Sequence, residues 1–251
     1  MIPAPGVRAP DPGLRPFIDH YWWRVVGAED VHPVLPDGCV DMVIQVSGCG
    51  TRGWVYGTPT RPGGAPVAAG EYYLGIRFRP GQSRHFLDHP APLLTDRRVD
   101  LDRPPGPSLQ QLAETVIHGD SFALLDAALL DWLARHPPAP DSLDRALGWL
   151  EVPHARVERL AHHMGISVRH LERRILARVG LAPRRYASIR RAQRTLRALG
   201  VRPAPDLAGL ALTMGYADQS QMTRELRRWL GDTPARLRGR HVGFVQDPPA
   251  A

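Results

Sequence analysis

The sequence predicts an α+β chain, with a β-rich barrel or sandwich followed by an all-α domain of two repeated helical units joined by a long helix. Three observations carry that expectation. Short β-prone runs punctuated by Gly and Pro fill the first hundred residues. The pattern Leu-Ala-x-x-Met-Gly occurs at 160–165 and again at 210–215. Charge is divided: residues 1–140 hold 12 Arg against 15 acids, whereas residues 141–241 hold 20 Arg against 9, in a chain with no lysine and a net charge of +7.

In chain order, "CVDMVIQV" (39–46), "GWVYG" (53–57) and "YYLGIRF" (72–78) read as strands, separated by turns at "PDG", "SGCG" and "RPGG". "SLQQLAETVIHG" and "SFALLDAALLDWLARH" then carry helical periodicity, the second with Ser121 as its N-cap. "PPAPD" (137–141) reads as a linker. The expected domains are a β-rich domain over 1–105, a helical connector over 106–140, an all-α domain over 141–241 and a tail over 242–251. At 251 residues and 43% hydrophobic content the chain has room for two modest domains. No apolar run reaches the roughly 20 residues that span a bilayer, and "MIPAPGVRAPDPGLRPF" lacks a secretory apolar core. A cytoplasmic protein without membrane contact is expected.

The repeat carries the function. Each copy ends a short helix at a glycine, Gly165 or Gly215, that permits a left-handed turn. Each is followed by an N-cap, Ser167 or Asp218, and Asp218 with Gln221 has the spacing of a capping box. Counted from the caps, Leu171 and Ile175 match Met222 and Leu226 as inner residues, while Arg173 matches Arg224 as an outer one. Arg169 and Glu172 flank the first outer face; Ser220, Gln221 and Arg228 flank the second. This is the layout of a helix-turn-helix unit, whose second helix enters the major groove by its N-terminal end. Gln pairs with adenine edges and Arg with guanine. "APRRYASIRRAQRTLRAL" (182–199) reads as one helix with Pro183 in its first turn. At 1.5 Å per residue it makes a strut of about 25 Å, which with its turns would hold the two reading helices about 34 Å apart, one turn of duplex.

Residues 141–238 resemble the DNA-binding domain of AraC-type transcriptional regulators (the AraC/XylS family), most specifically over "GYADQSQMTRELRRWLGDTP". The resemblance implies that the first recognition helix reaches DNA through Arg169, Glu172 and Arg173 and the second through Gln219, Ser220, Gln221 and Arg224. It also implies that Arg184, Arg185 and Tyr186 lie close to the DNA backbone. Ile175, Met222 and Leu226 stand where the family usually has Phe; they fill similar core volume. "HPVLPDGCVDMVIQV" (32–46) and "YYLGIRFRPGQSRHFLDHPAPLLTDRRVDL" (72–101) resemble the small domain that precedes this unit in a subset of such regulators, which implies a sensing or dimerising module.

Two readings stand side by side for the sensor residues. Trp22 and Trp23 in "DHYWW" either wall an effector pocket or pack a core. Asp37 and Cys39 in "LPDGCVD" belong either to a turn or to an effector or metal site. Cys39 and Cys49 read as small buried hydrophobes, and Arg77 and Arg79 as a solvated strand face that could hold an anion. No His-Glu-x-x-His, Gly-x-Ser-x-Gly or phosphate-binding Gly-rich loop occurs, so no enzyme, metal or cofactor is expected. The expected partners are double-stranded promoter DNA, a small-molecule effector, RNA polymerase and a second copy of the chain. The alternatives are a non-specific architectural DNA-binding protein and a cysteine alkyl-acceptor in DNA repair.

Overall fold

The structure, a computed structural model, describes residues 5–101, 104, 108, 111, 122–139, 141–201 and 206–239. The helical reading of "SLQQLAETVIHG", the Ser121 cap and the tail lie almost wholly outside these. Eight strands open the chain: β1 (Gly6–Arg8), β2 (Ile18–Val25), β3 (Asp30–Val34), β4 (Val40–Ser47), β5 (Gly50–Tyr56), β6 (Gly63–Val67), β7 (Tyr72–Phe78) and β8 (Arg98–Asp100). Six of them form an antiparallel sheet in the order β1-β2-β7-β4-β5-β8, and β3 pairs with β6 as a separate two-stranded layer. A short helix, α1 (Ala91–Leu94), precedes β8.

Alternation along the strands gives the sheet two different faces. One face presents Tyr21, Met42, Ile44, Leu74 and Ile76 to a core shared with helix α2 (Phe122–Arg135), which contributes Phe122, Leu125, Leu129 and Leu133. The other presents Trp22, Val43 and Tyr73 to the β3–β6 layer. The apolar stripe of α2 is thus buried in the β-rich domain rather than left for a second copy. Tyr21 Oη donates to Asp126 at 2.7 Å and Trp132 Nε1 to the His85 carbonyl at 2.9 Å, fixing α2 to the sheet.

Seven helices occupy the described part of residues 141–239: α3 (Ser142–Glu151), α4 (Val157–His163), α5 (Val168–Val179), α6 (Pro183–Leu199), α7 (Leu207–Thr213), α8 (Gln219–Leu230) and α9 (Pro234–Gly239). Their core runs continuously from Leu147 through Leu171, Ile175 and Ile189 to Met222, Leu226 and Trp229. Asp141, which the sequence assigns to a linker, caps α3 by accepting from Leu143 N at 2.9 Å. Among the described residues no helix is long and apolar enough to cross a membrane.

Candidate nucleic-acid interface

The two Leu-Ala-x-x-Met-Gly turns have the same backbone geometry. Met164 and Met214 sit at φ −83° and −81°, and Gly165 and Gly215 at φ +64° and +85°, in the left-handed region glycine enters without strain. Their closing hydrogen bonds correspond one for one. Ile166 N donates to the Ala161 carbonyl at 3.1 Å and Tyr216 N to the Ala211 carbonyl at 2.9 Å. Leu160, Ala161, Leu210 and Ala211 are buried beneath them. The caps follow: Ser167 Oγ accepts from His170 N at 3.2 Å, and Asp218 Oδ1 from Gln221 N at 2.6 Å.

The recognition helices α5 and α8 are each 12 residues long, and each ends at a left-handed glycine, Gly180 or Gly231. Leu171, Ile175, Met222 and Leu226 are fully buried, whereas Arg169, Glu172, Arg173, Gln219, Ser220, Arg224 and Arg228 are exposed. Arg169, Arg173 and Arg224 have no ion-pair partner among the described residues, which leaves their guanidinium groups open to an incoming acceptor. Gln221 departs from the expectation of an open reading residue. Its Oε1 accepts from Ala217 N at 2.7 Å, completing the cap, and the residue is half-buried. Arg228 lies over the Trp229 ring at 4.5 Å.

The strut α6 spans 17 residues, about 25 Å at 1.5 Å each. Its inner face is Tyr186, Ile189, Ala192, Gln193, Leu196 and Leu199. Arg184 and Arg185 are exposed, Arg184 meeting Glu158 at 2.6 Å. Tyr186 corrects the expectation of a backbone contact: it is fully buried, with its hydroxyl donating to Glu151 at 2.5 Å. The second unit is tied to the strut by Arg191, which reaches Glu225 at 2.6 Å and the Gly215 carbonyl at 3.0 Å. Ser188 links Glu225 and Trp229 at the same junction.

The candidate sensor residues part company. Trp22 lines a cavity of about 80 Å³ between the sheet and the β3–β6 layer, together with His32, Val43, Tyr56, Tyr73 and Arg77. Gly75 makes room for it, since a Cβ there would lie 1.8 Å from the indole. Trp23 points to the opposite face and packs on Phe122, 5.0 Å between ring centroids. Asp37 and Cys39 lie outside that cavity, on a turn that docks against α6. Arg190 Nη1 donates to the Asp37 carbonyl at 3.0 Å and Gln193 Nε2 to the Pro36 carbonyl at 2.6 Å. Gly38, at φ +86°, lets the turn close on the Tyr186 ring, 3.1 Å from where a Cβ would stand. Arg77 overturns the solvated reading: it is buried and pairs with Asp37 at 2.5 Å and Asp41 at 2.7 Å. Nothing in "RFRPG" signals this, because the two acids come from other elements. Cys49 is exposed rather than buried. Burial first, and Asp37 second, push the Cys39 thiol well up, which keeps it protonated and unreactive.

Comparison with known proteins fits this geometry. Residues 160–240 match the family described as "Helix-turn-helix domain", and residues 7–100 match "Domain of unknown function (DUF6597)". No curated protein matches the chain. Among solved structures, a transcriptional regulator with an AraC-type DNA-binding domain from Chromobacterium violaceum aligns at 21% identity over 38% of this chain and 85% of that one, with a TM-score of 0.35. The DNA-binding domain of the global transcriptional factor AdpA, solved with a target DNA, aligns at 27% identity over 39% and 86%, with a TM-score of 0.34. ToxT from Vibrio cholerae O395, bound to (E)-4-(8-methylnaphthalen-1-yl)but-3-enoic acid, aligns at 8% identity over 94% and 99%, with a TM-score of 0.49. The helix-turn-helix match spans both repeated turns, both recognition helices and the strut between them, so residues 160–240 are a helix-turn-helix domain, and the β-rich half carries the second match.

Proposed function

We propose that the protein reads a specific promoter sequence with α5 and α8 in successive major grooves, and that an effector bound in the β-rich domain modulates this reading. The observation that carries the proposal is the duplication itself. Two turns with the same hydrogen bonds present unpaired arginines, Arg173 and Arg224, at equivalent positions on one strut. A solvated helix face needs no such matching.

The effector half rests on the cavity beside Trp22 and on what its polar wall touches. Arg77 and Asp41 line the cavity, and Arg77 also holds Asp37 on the turn that accepts from Arg190 and Gln193 of the strut. A ligand that competes for Asp41 or Arg77 alters the hold of the β-rich domain on the strut between the reading helices. His32 in the same wall is kept neutral by burial first and by Arg24 second.

Gel-shift titration of the gene's own upstream region against random duplex tests the reading. Specific recognition gives preference for the upstream fragment, and Arg224→Ala costs about 1–3 kcal/mol with altered preference at one position. Equal affinity for both duplexes, unchanged in Arg224→Ala, would reject specific reading in favour of non-specific binding.

A further inference from the structure

A groove of about 520 Å³ lies where the 152–156 loop, the start of α4 and the strut α6 meet, and no residue of either recognition helix lines it. Four of its lining residues are arginines, Arg156, Arg184, Arg191 and Arg194, against one lining acid, Glu158. Glu158 is held by Arg184 at 2.6 Å. Glu225, just behind the groove, is held by Arg191 and Ser188. The acids are thus engaged and a positive excess remains.

Arg194 is the sharpest sign of a missing partner. Its Nη1 is buried without a hydrogen bond, and no ion pair reaches it among the described residues. Nε of Arg191 is likewise buried and unbonded. Burial, and then the neighbouring Arg190 and Arg191, work against the charge on Arg194, with Glu151 as its opposing acid. A guanidinium nitrogen withdrawn from water with no hydrogen-bond acceptor on it is unfavourable. The wall opposite is fixed: His154 adopts φ +61°, and its N lies 3.1 Å from where a Cβ on Gly215 would stand. The groove therefore sits against the second unit's turn while opening beside the first unit's entry loop.

We propose that this groove binds a phosphate group, with Arg194 as its principal ligand and Arg191 and Arg156 beside it. Several forked donors around one space suit the tetrahedral acceptors of a phosphate better than a single planar carboxylate. The group is either a backbone phosphate of bound duplex, which rests on the DNA-binding reading above, or the phosphate of a small molecule.

Two arms on the full chain test the site, using wild type, Arg194→Met and Arg156→Ala. Arg156 is exposed and makes no side-chain cap bond, so its removal leaves the fold in place. In the first arm, inorganic phosphate is titrated at matched ionic strength against chloride while thermal unfolding is followed. A rise in Tm specific to phosphate and absent in Arg194→Met supports a free-phosphate site. In the second, binding to random duplex is measured across salt concentrations. A slope of log K against log salt lowered by about one in each variant supports a backbone phosphate. Phosphate acting like chloride on the wild type, together with unchanged slopes in both variants, overturns the site. A wild type that binds no duplex would overturn the regulator reading instead, and the phosphate arm would then decide the site alone.

Discussion

The two helix-turn-helix units share their turns and caps and differ in how their recognition helices end. The first is bolted to the β-rich domain. A Cβ on Gly180, at the end of α5, would stand 2.4 Å from Thr95 Oγ1 and 2.7 Å from the Ala91 carbonyl, and Thr95 donates to the Gly180 carbonyl at 2.9 Å. Beside it, Arg178 of α5 pairs with Asp141 and, at 2.7 Å, with Asp144, and packs on Gly81. The second unit touches that domain lightly: a Cβ on Gly231 would meet Pro62 at an ordinary 3.6 Å. Its anchorage is to the strut, through Arg191, Ser188 and Thr195. The β-rich domain thus grips one unit and leaves the other to the strut.

The sharpest way to break this contrast is a matched pair of substitutions. Gly180→Ala is expected to cost about 1–2 kcal/mol for the left-handed backbone and about 1–3 kcal/mol more for overpacking against Ala91 and Thr95. Gly231→Ala meets only the first cost. Denaturant unfolding that gives equal losses would show the two junctions to be equivalent.

Next in size is Arg178→Met, which leaves Asp141 and Asp144 without their shared cation. Both acids keep some solvent contact, so the loss is that of charge-assisted hydrogen bonds, about 1.5–3 kcal/mol. The substitution is expected to loosen the first unit, read as faster amide exchange in α5 than in α8. Uniform exchange in both helices would argue against a local bolt.

The caps give a smaller comparison. Asp218→Ala is expected to cost about 1 kcal/mol, and Ser167→Ala less, because the Ser167 bond is longer at 3.2 Å against 2.6 Å and lacks a reciprocal partner. The reverse order in thermal unfolding would contradict the stronger second cap.

The smallest effect is in pH. His85, in the β-rich domain, is pushed down to about 4 by burial first and by Arg84 second. Its folded value lies below the unfolded 6.5, so the unfolded chain binds the proton more readily between those values. Stability is expected to fall as pH drops from about 6.5 towards about 4, and then to level. His85→Gln should flatten that slope. An unchanged profile would place the pH sensitivity elsewhere.

The repeat was legible because its information is local. The spacing of Leu-Ala-x-x-Met-Gly, the caps Ser167 and Asp218, Pro183 at the start of the strut and the inner stripe Met222-Leu226-Trp229 each depend on neighbours within a turn or two. The outward set Arg169, Glu172, Arg173, Ser220, Arg224 and Arg228 followed from the same helical period. The strands at 40–47 and 72–78 were visible for a like reason, since a β-prone run bounded by turn residues is a short-range signal. Tyr186 was misjudged because nearness in sequence to exposed arginines does not tell what its own side chain meets. It faces Gly38 of the other domain.

The sequence alone determined that there are two repeated helix-turn-helix units joined by one long helix, because propensity, capping and period are set by residues a few positions apart. The tertiary structure alone decided which arginines remain free to meet DNA. Arg77, Arg178 and Arg190 are neutralised by Asp41, Asp141 and Glu151, acids 36–39 residues away. An ion pair needs only proximity in space, and a guanidinium carries no mark in the sequence of the carboxylate the fold will bring to it.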